Sequence, residues 1–367
     1  MRNGLVVCKG TGYYKNIGDY IQNLAAEIFF DKIDVLVERE ELSSYNSSTD
    51  KTKVIMNGWF MWHPESFPPG EELEPLFISF HIVPDIAEKL LTPKSVEYLK
   101  KYSPIGCRDT GTKNLLEKHG IPCYFSGCLT LVLGEKYKSE QKSGEILFVD
   151  PYYEWIKIGK KKIEFPLGAI FSSICTLFTN PRKIKRLIKK FKCDSSLGKY
   201  EKLDFLNIDK WLQASMFYKV YSKNFDDDVL FCADYIVHNI PRKSFKNENE
   251  KFDYAKKLMK KYAEAKLIIT SRIHCALPAI AVETPMIFVT SNVLESKSSV
   301  RSRGRFGGML NLFQVMEYTK DKLVAADEIL NNGNEKIGLN TEIYNKEDYL
   351  LIKEQLLEKC KEFVSKP

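Results

Sequence analysis

The sequence predicts an α/β fold built as two parallel-sheet halves. Short apolar runs alternate with segments of helical spacing from Leu5 to Phe125, a second such series opens at Glu145–Val149, and a stretch of helical spacing closes the chain. Such alternation requires mainly parallel sheets covered by helices on both faces. In the first half, Leu5–Lys9 reads as a strand, Gly10–Gly18 as a glycine-bearing loop, and Asp19 as the cap of a helix with Ile21, Leu24, Ala25 and Ile28 on its apolar face. Further strands are expected at Ile33–Val37, Lys53–Met56, Leu76–Phe80, Ile105–Arg108 and Pro122–Phe125, with helices at Pro84–Leu91, Pro93–Tyr102 and Asp109–His119. Thr130–Gly144 reads as a crossover. The second half adds strands at Glu145–Val149, near Val229–Val237, at Lys266–Thr270 and at Met286–Val289, and helices at Glu250–Ala263 and Ile273–Val282. Asn345, Glu347 and Asp348 start a last helix that carries Tyr349, Ile352, Leu356, Cys360 and Phe363 on one face. The expected division is 1–135, then 145–345 with an insertion at 155–225, then a closing helix at 346–367.

The 367 residues suffice for two domains, and 44 % hydrophobic with 28 % charged residues is the composition of an ordinary folded protein rather than a disordered one. The apolar run Leu5–Cys8 is too short for a signal peptide and no 18 apolar residues run together, so a cytoplasmic protein is expected. Nine cysteines without a CxxC pair suggest neither a zinc site nor a disulfide framework. A net charge of +7 would suit nucleic acid, but eleven Lys and Arg between Trp155 and Lys192 face one acid, Glu164, which leaves the rest of the chain at −3. The basicity is one local feature, and nucleic acid is not an expected partner.

That feature follows an uncharged stretch, Phe165–Pro181. Ile184, Leu187, Ile188 and Phe191 then form an apolar stripe between cations. An apolar segment followed by a basic amphipathic helix suits peripheral membrane contact through residues 165–192, by apolar burial and attraction to anionic headgroups. The alternatives are an insertion folded onto the second half with a solvated basic face, or a surface for a protein partner.

Ile269–Pro278, ITSRIHCALP, places Ser271, Arg272 and His274 at a strand-to-helix junction, where helix N–H groups and the positive dipole end favour an anion. Arg272 offers a fork matching a carboxylate or phosphate, and His274 can move a proton near neutral pH. The plainer alternative is a helix cap, a surface arginine and a structural histidine. Gly10, Gly12 and Gly18 match neither the dinucleotide fingerprint nor the phosphate loop, although Asn16 and Asp19 beside them could accept sugar hydroxyls. Asn57, Gly58 and Trp59 follow a strand and suit sugar recognition; Trp59 could equally cover the sheet end. Arg108, Asp109 and His81 stand at strand ends too, with Asp109 open to a capping role. Arg301, Arg303 and Arg305 make a basic loop that could clamp an anion or simply be solvated. No HExxH, Asp-rich cluster or histidine pair gives metal a case.

Taken together, GTGYYKNIGDY, MNGWF, PIGCRDTGT, YFSGCLTL, ITSRIHCALP and TPMIFV resemble the polysaccharide pyruvyl transferase family, over Leu5–Ile158 and Asp227–Leu312 but not over Phe165 to about Phe225. The resemblance implies two Rossmann-like domains facing across a cleft in the GT-B manner, with acceptor on the first and donor on the second. It implies transfer of the enolpyruvyl group of phosphoenolpyruvate onto a sugar of a glycan, which can be lipid-linked, as a cyclic ketal during synthesis of a surface polysaccharide such as a capsule. Arg272 and His274 match the family's donor-site Arg-x-His, and Ser271 precedes them. Ketal formation needs C3 of the enol protonated as C2 is attacked by a hydroxyl, and His274 as imidazolium is the natural donor. Phosphoenolpyruvate is then a co-substrate and no cofactor or metal is required. The family's arginine after the first strand of the second domain is absent, since Asp150 and Pro151 stand there. Arg242 and Arg305 are the candidates to replace it. Asn16, Asp19, Asn57 and Asp109 go to the acceptor by the family's division of labour.

Two rivals stay open. A glycosyltransferase of the same architecture would use a nucleotide sugar, but no acidic ribose-reading motif accompanies ITSRIH. A catalytically idle scaffold of a polysaccharide assembly complex would have no need of Arg272 and His274 together. The expected location is cytoplasmic, at the inner face of the membrane if the basic segment binds lipid.

Overall fold

The protein is described here from a computed structural model, which places residues 1–9, 14–47, 50–153, 157–158, 163–164, 167–193, 208–291, 306–319, 322–325, 329 and 335–366. The strands are β1 (Arg2–Val7), β2 (Tyr14–Asn16), β3 (Val35–Glu38), β4 (Thr52–Phe60), β5 (Leu73–Ile82), β6 (Ile105–Cys107), β7 (Cys123–Phe125), β8 (Ile146–Val149), β9 (Lys157–Ile158), β10 (Ile163–Glu164), β11 (Asp234–Ile236), β12 (Asn239–Pro241), β13 (Leu267–Thr270), β14 (Met286–Ser291), β15 (Gln314–Thr319) and β16 (Lys322–Ala325). The helices are α1 (Ile17–Glu27), α2 (Ala87–Leu90), α3 (Pro93–Lys101), α4 (Thr110–Lys118), α5 (Gly134–Tyr137), α6 (Leu167–Thr179), α7 (Pro181–Cys193), α8 (Ile208–Tyr221), α9 (Asp227–Cys232), α10 (Glu248–Glu264), α11 (Ile273–Ala281) and α12 (Tyr349–Ser365).

Two six-stranded sheets dominate, as the alternation predicts. The first runs β3-β1-β4-β5-β6-β7 and is parallel throughout. The second runs β11-β8-β13-β14-β15-β16 and is parallel except for its last pair. In each, the chain turns from one direction of growth to the other beside the first strand. Those switch points lie between β1 and β4 and between β8 and β13, and in open α/β sheets the crevice at their carboxyl ends is where ligands bind.

The two sheets share one buried core. Leu5 and Val7 of β1, Tyr20, Ile21 and Leu24 of α1, Leu147 and Val149 of β8, Met259 and Tyr262 of α10 and Ile273, Leu277 and Ile280 of α11 belong to a single apolar cluster. Gly134 shows how closely the halves approach, since a β-carbon there would lie 2.1 Å from the Ala281 carbonyl oxygen. Separate clusters cover the outer face of each sheet. Beyond the core, β2 pairs antiparallel with β12, with Asn16 opposite Asn239, and Ile17 N donates to His238 O at 2.9 Å. The start of α1 is thereby fastened to the second half.

Several local expectations shift. Asn16, not Asp19, caps α1, its Oδ1 accepting from Gly18 N at 3.1 Å; Asp19 sits in the first turn, where its charge suits the helix dipole. The Val229–Val237 run does not form one strand, because Asp226–Asp228 start α9 and leave only Asp234–Ile236 extended. Asn345 does not begin α12; it accepts from Met286 N at 3.1 Å and donates to Thr284 O at 2.8 Å, clamping β14.

Residues 165–192 fall on α6 and α7. Ile184, Leu187 and Ile188 of α7 are buried in the outer core of the second sheet, so these three positions of the stripe face protein, not solvent; the Phe191 side chain lies outside the described ones. The exposed apolar surface lies on α6 instead, where Phe171, Ile174 and Phe178 share a face and are 72 %, 37 % and 79 % exposed. No helix among the described residues is long and apolar enough to cross a membrane.

Candidate active site

The carboxyl ends of the first sheet and the start of α11 enclose a cavity of about 270 Å³, lined by Asn16, Asp19, Arg39, Trp59, Trp62, His81, Val83, Arg108 and His274. Larger cavities of about 470 and 500 Å³ lie elsewhere, but the first touches Ile146 and Leu267 at the amino ends of β8 and β13, and the second is a groove beside β3 and α10. Neither stands at a switch point, and neither gathers histidines and arginines.

Strand geometry explains the lining. Arg39 follows β3, Trp59 and His81 are each next to last in β4 and β5, and Arg108 follows β6, so four parallel strands of one sheet deliver four side chains to one rim. Asn16 and Asp19 enter from the start of α1, and His274 from the first turn of α11, where its φ/ψ of −84°/17° departs from the helix. Gly18 allows α1 to approach, since a β-carbon there would be 3.1 Å from His274 Cβ and 3.3 Å from His238 Nδ1.

Arg39 is buried, bonded through Nε to Glu40 at 2.8 Å, and stacked over Trp59 at 4.7 Å; Trp59 in turn packs on Trp62 with centroids 4.6 Å apart. Trp62 is 57 % exposed, a flat aromatic at the edge of the cavity. Arg108 is 1 % exposed. Its Nε lies 3.8 Å from Asp109 Oδ2, too far for a hydrogen bond, and Nε and Nη1 have no hydrogen-bond partner among the described residues. A buried guanidinium with open N–H groups, on the wall of a cavity, has the chemistry to take an anion.

A second constellation occupies the switch point of the second sheet. Asp150 follows β8 with φ 42°, and its Oδ2 accepts from Arg272 Nε at 2.7 Å and from His238 N at 3.0 Å. Burial works against the Asp150 carboxylate, but Arg272, His238 and the His238 N–H outweigh it and hold its pKa below the ordinary value. Burial, with Arg272 adding to it against the pull of Asp150, pushes His238 down to about 4, so its ring is neutral; Nε2 sits 2.7 Å from Tyr262 Oη. The Arg272 side chain remains 39 % exposed.

Of the expected site residues, Asn16, Asp19 and His274 meet in the cavity, and Arg272 stands two residues before His274 at the start of α11. Ser271 Oγ accepts from Tyr152 N at 2.7 Å, which makes it a tie to the residues after β8. Asn57 does not line the cavity; it donates to Gln22 O at 3.0 Å and joins β4 to α1. Asp109 stands behind the wall, capping α4 through Thr112 N at 2.8 Å and holding His81 Nδ1 at 2.6 Å. Arg242 reaches the Lys9 carbonyl rather than the cavity. Arg301, Arg303, Arg305, Gly10 and Gly12 lie outside the described residues; just beyond, Gly307 O accepts from Thr110 N at 3.2 Å. Sequence reasoning missed Arg39 and Trp62, and it did not assign Arg108. Arg39 directly follows β3 only because that strand runs one residue beyond the expected Ile33–Val37, to Glu38, and Trp62 lies past the end of its strand, so neither carries a local mark in the sequence.

Among the described residues no three His, Cys, Asp or Glu side chains converge as a metal set. No curated protein matches the sequence. The sequence profile of the polysaccharide pyruvyl transferase family matches residues 16–292, a span containing every lining residue of the cavity as well as Asp150, His238 and Arg272, and the chain therefore belongs to the polysaccharide pyruvyl transferase family.

Proposed function

We propose that the protein transfers the enolpyruvyl group of phosphoenolpyruvate to a sugar and closes it as a cyclic ketal, in the synthesis of a surface polysaccharide such as a capsule. The observation that carries this reading is His274 on the wall of a polar cavity that also holds the open guanidinium of Arg108. A small dianion needs such cationic donors, and a proton donor must reach its methylene carbon. In this scheme Arg272, oriented by Asp150, and Arg108 receive the carboxylate and phosphate, and Arg108 takes the place of the arginine missing after β8. His274 protonates C3 while a sugar hydroxyl attacks C2; a second hydroxyl then displaces phosphate and closes the ring. Trp59 and Trp62 offer aromatic faces for a pyranose, and Asn16 and Asp19 accept its hydroxyls. Two Rossmann-like units, 1–135 and 145–345, would face each other in the GT-B manner, the second supplying Arg272 and His274 to the donor and the first supplying Arg108 to the donor and the acceptor-binding residues, closed by the helix in 346–367.

We place the membrane contact of this reading on α6. Phe171, Ile174 and Phe178 would enter the interface while Arg182, Lys185 and Lys189, on the next helix, face anionic headgroups; an acceptor carried on a lipid would be met there. Calorimetric titration of the protein with phosphoenolpyruvate and with nucleotide sugars tests the donor. Binding of the former that weakens in Arg272→Ala supports pyruvyl transfer, whereas binding of a nucleotide sugar alone would favour a glycosyltransferase.

A further inference from the structure

We infer that His81, held by Asp109, is a second proton-transferring residue of this cavity, the base that takes the proton from the acceptor hydroxyl while His274 delivers one to the donor. The inference rests on the pyruvyl-transfer reading and adds to it a residue that nothing above assigns. His81 is 2 % exposed and lines the cavity at the end of β5, whereas Asp109 does not line it. The carboxylate is fixed from two sides, since Oδ2 lies 2.6 Å from His81 Nδ1 and Oδ1 accepts from Thr112 N at 2.8 Å. Burial disfavours its charge, but His81, Arg108 and the Thr112 N–H together hold the Asp109 pKa below the usual range. An ionised acceptor at Nδ1 selects the tautomer with its proton there, which makes Nε2 the basic nitrogen. His81 Nδ1 also lies 3.2 Å from Thr112 Oγ1, but Ile82 N donates to that same oxygen at 3.2 Å, so β5 is joined to α4 even without the ring. A carboxylate orienting a histidine that reaches a cavity is the arrangement of a general base.

The proton and electron accounts close. The acceptor O–H bond breaks, its proton passes to His81 Nε2, and the oxygen forms a bond to C2 of phosphoenolpyruvate; the C2=C3 π pair takes a proton from His274. In the second step the other hydroxyl attacks C2, the C2–O bond to phosphate breaks, and the departing phosphate takes the bonding pair and that hydroxyl's proton. His81 returns its proton to solvent and His274 regains one.

The test uses the full-length protein, phosphoenolpyruvate, and a glycoside that the wild type turns over. In His81→Gln, phosphoenolpyruvate affinity by calorimetry should stay within about twofold of wild type while kcat falls on the order of 10²–10⁴-fold. Added imidazole should restore part of kcat to His81→Gly, which a purely structural histidine would not allow. Asp109→Asn, a positioning change, should lower kcat with the KM for phosphoenolpyruvate little altered. Wild-type kcat in His81→Gln overturns the inference and leaves the donor reading intact, as does loss of kcat in His81→Gly that imidazole does not restore. A wild type that binds no phosphoenolpyruvate overturns both.

Discussion

Asp150 Oδ2 accepts from Arg272 Nε at 2.7 Å, and the same oxygen accepts the backbone N–H of His238 at 3.0 Å. One carboxylate thus joins the ends of β8, β11 and β13 and fixes one side of the guanidinium that precedes His274. Asp150→Asn keeps the size and removes the charge, so Arg272 should lose its orientation. We expect the KM for phosphoenolpyruvate to rise roughly tenfold, about 1.4 kcal/mol, with a smaller change in kcat. An unchanged KM would show that the pair serves folding only.

His238 gives a pH dependence of stability. Its folded pKa of about 4 lies below the ordinary 6.5, so the unfolded chain binds the proton more readily. Stability is therefore full above pH 6.5 and declines as pH falls toward 4, by an amount on the order of 3 kcal/mol. The depressed Asp150 adds a loss only at lower pH, below its ordinary 3.8. Denaturant midpoints between pH 7 and 4.5 should fall in wild type and fall less in His238→Gln; parallel slopes would refute the assignment.

Gly18 makes room for His274. Alanine there is favoured by helix propensity by about 0.5–1 kcal/mol, while its β-carbon would crowd His274 Cβ at 3.1 Å. The two effects offset one another in stability but not in geometry. Gly18→Ala should keep Tm near wild type and lose about tenfold or more in kcat; full activity would mean that His274 need not be held so closely.

Arg108 separates binding from folding. The open N–H groups of Arg108 cost about 1–3 kcal/mol each, but its charge supports the buried Asp109 carboxylate, so Arg108→Met should shift Tm only modestly while weakening phosphoenolpyruvate binding about 100-fold. A lowered Tm with unchanged binding would make Arg108 a structural partner of Asp109.

The helices α6 and α7 answer different perturbations. Leu187→Ala removes a buried side chain and should cost about 2–5 kcal/mol in stability. Phe171→Ser with Phe178→Ser should leave stability nearly unchanged yet abolish cosedimentation with vesicles containing anionic lipid. Retained cosedimentation would remove α6 from the membrane reading.

The strands were legible because parallel sheets are apolar on both faces, and β13, α11 and β14 lie within one or two residues of expectation. The Asp19 cap was misplaced because Asn16 and Asp19 are equally good caps in sequence, and the tie of Ile17 N to His238 O, which starts the helix earlier, spans 221 residues. Arg272 and His274 could be read locally from one strand-to-helix junction. Arg39, Trp62 and the arrangement of His81 with Asp109 could not, since what unites them is the order of strands in the first sheet, and strand order is long-range information. The same holds for α7, whose stripe looks alike in sequence whether it meets lipid or the second sheet.

The most direct test of the central claim is phosphate release from phosphoenolpyruvate with a panel of simple and lipid-linked glycosides, comparing wild type with His274→Ala and Arg272→Ala. The account predicts acceptor-dependent release by wild type, a sugar product heavier by one pyruvate ketal, and loss of both in His274→Ala. Undiminished ketal formation in His274→Ala would contradict it.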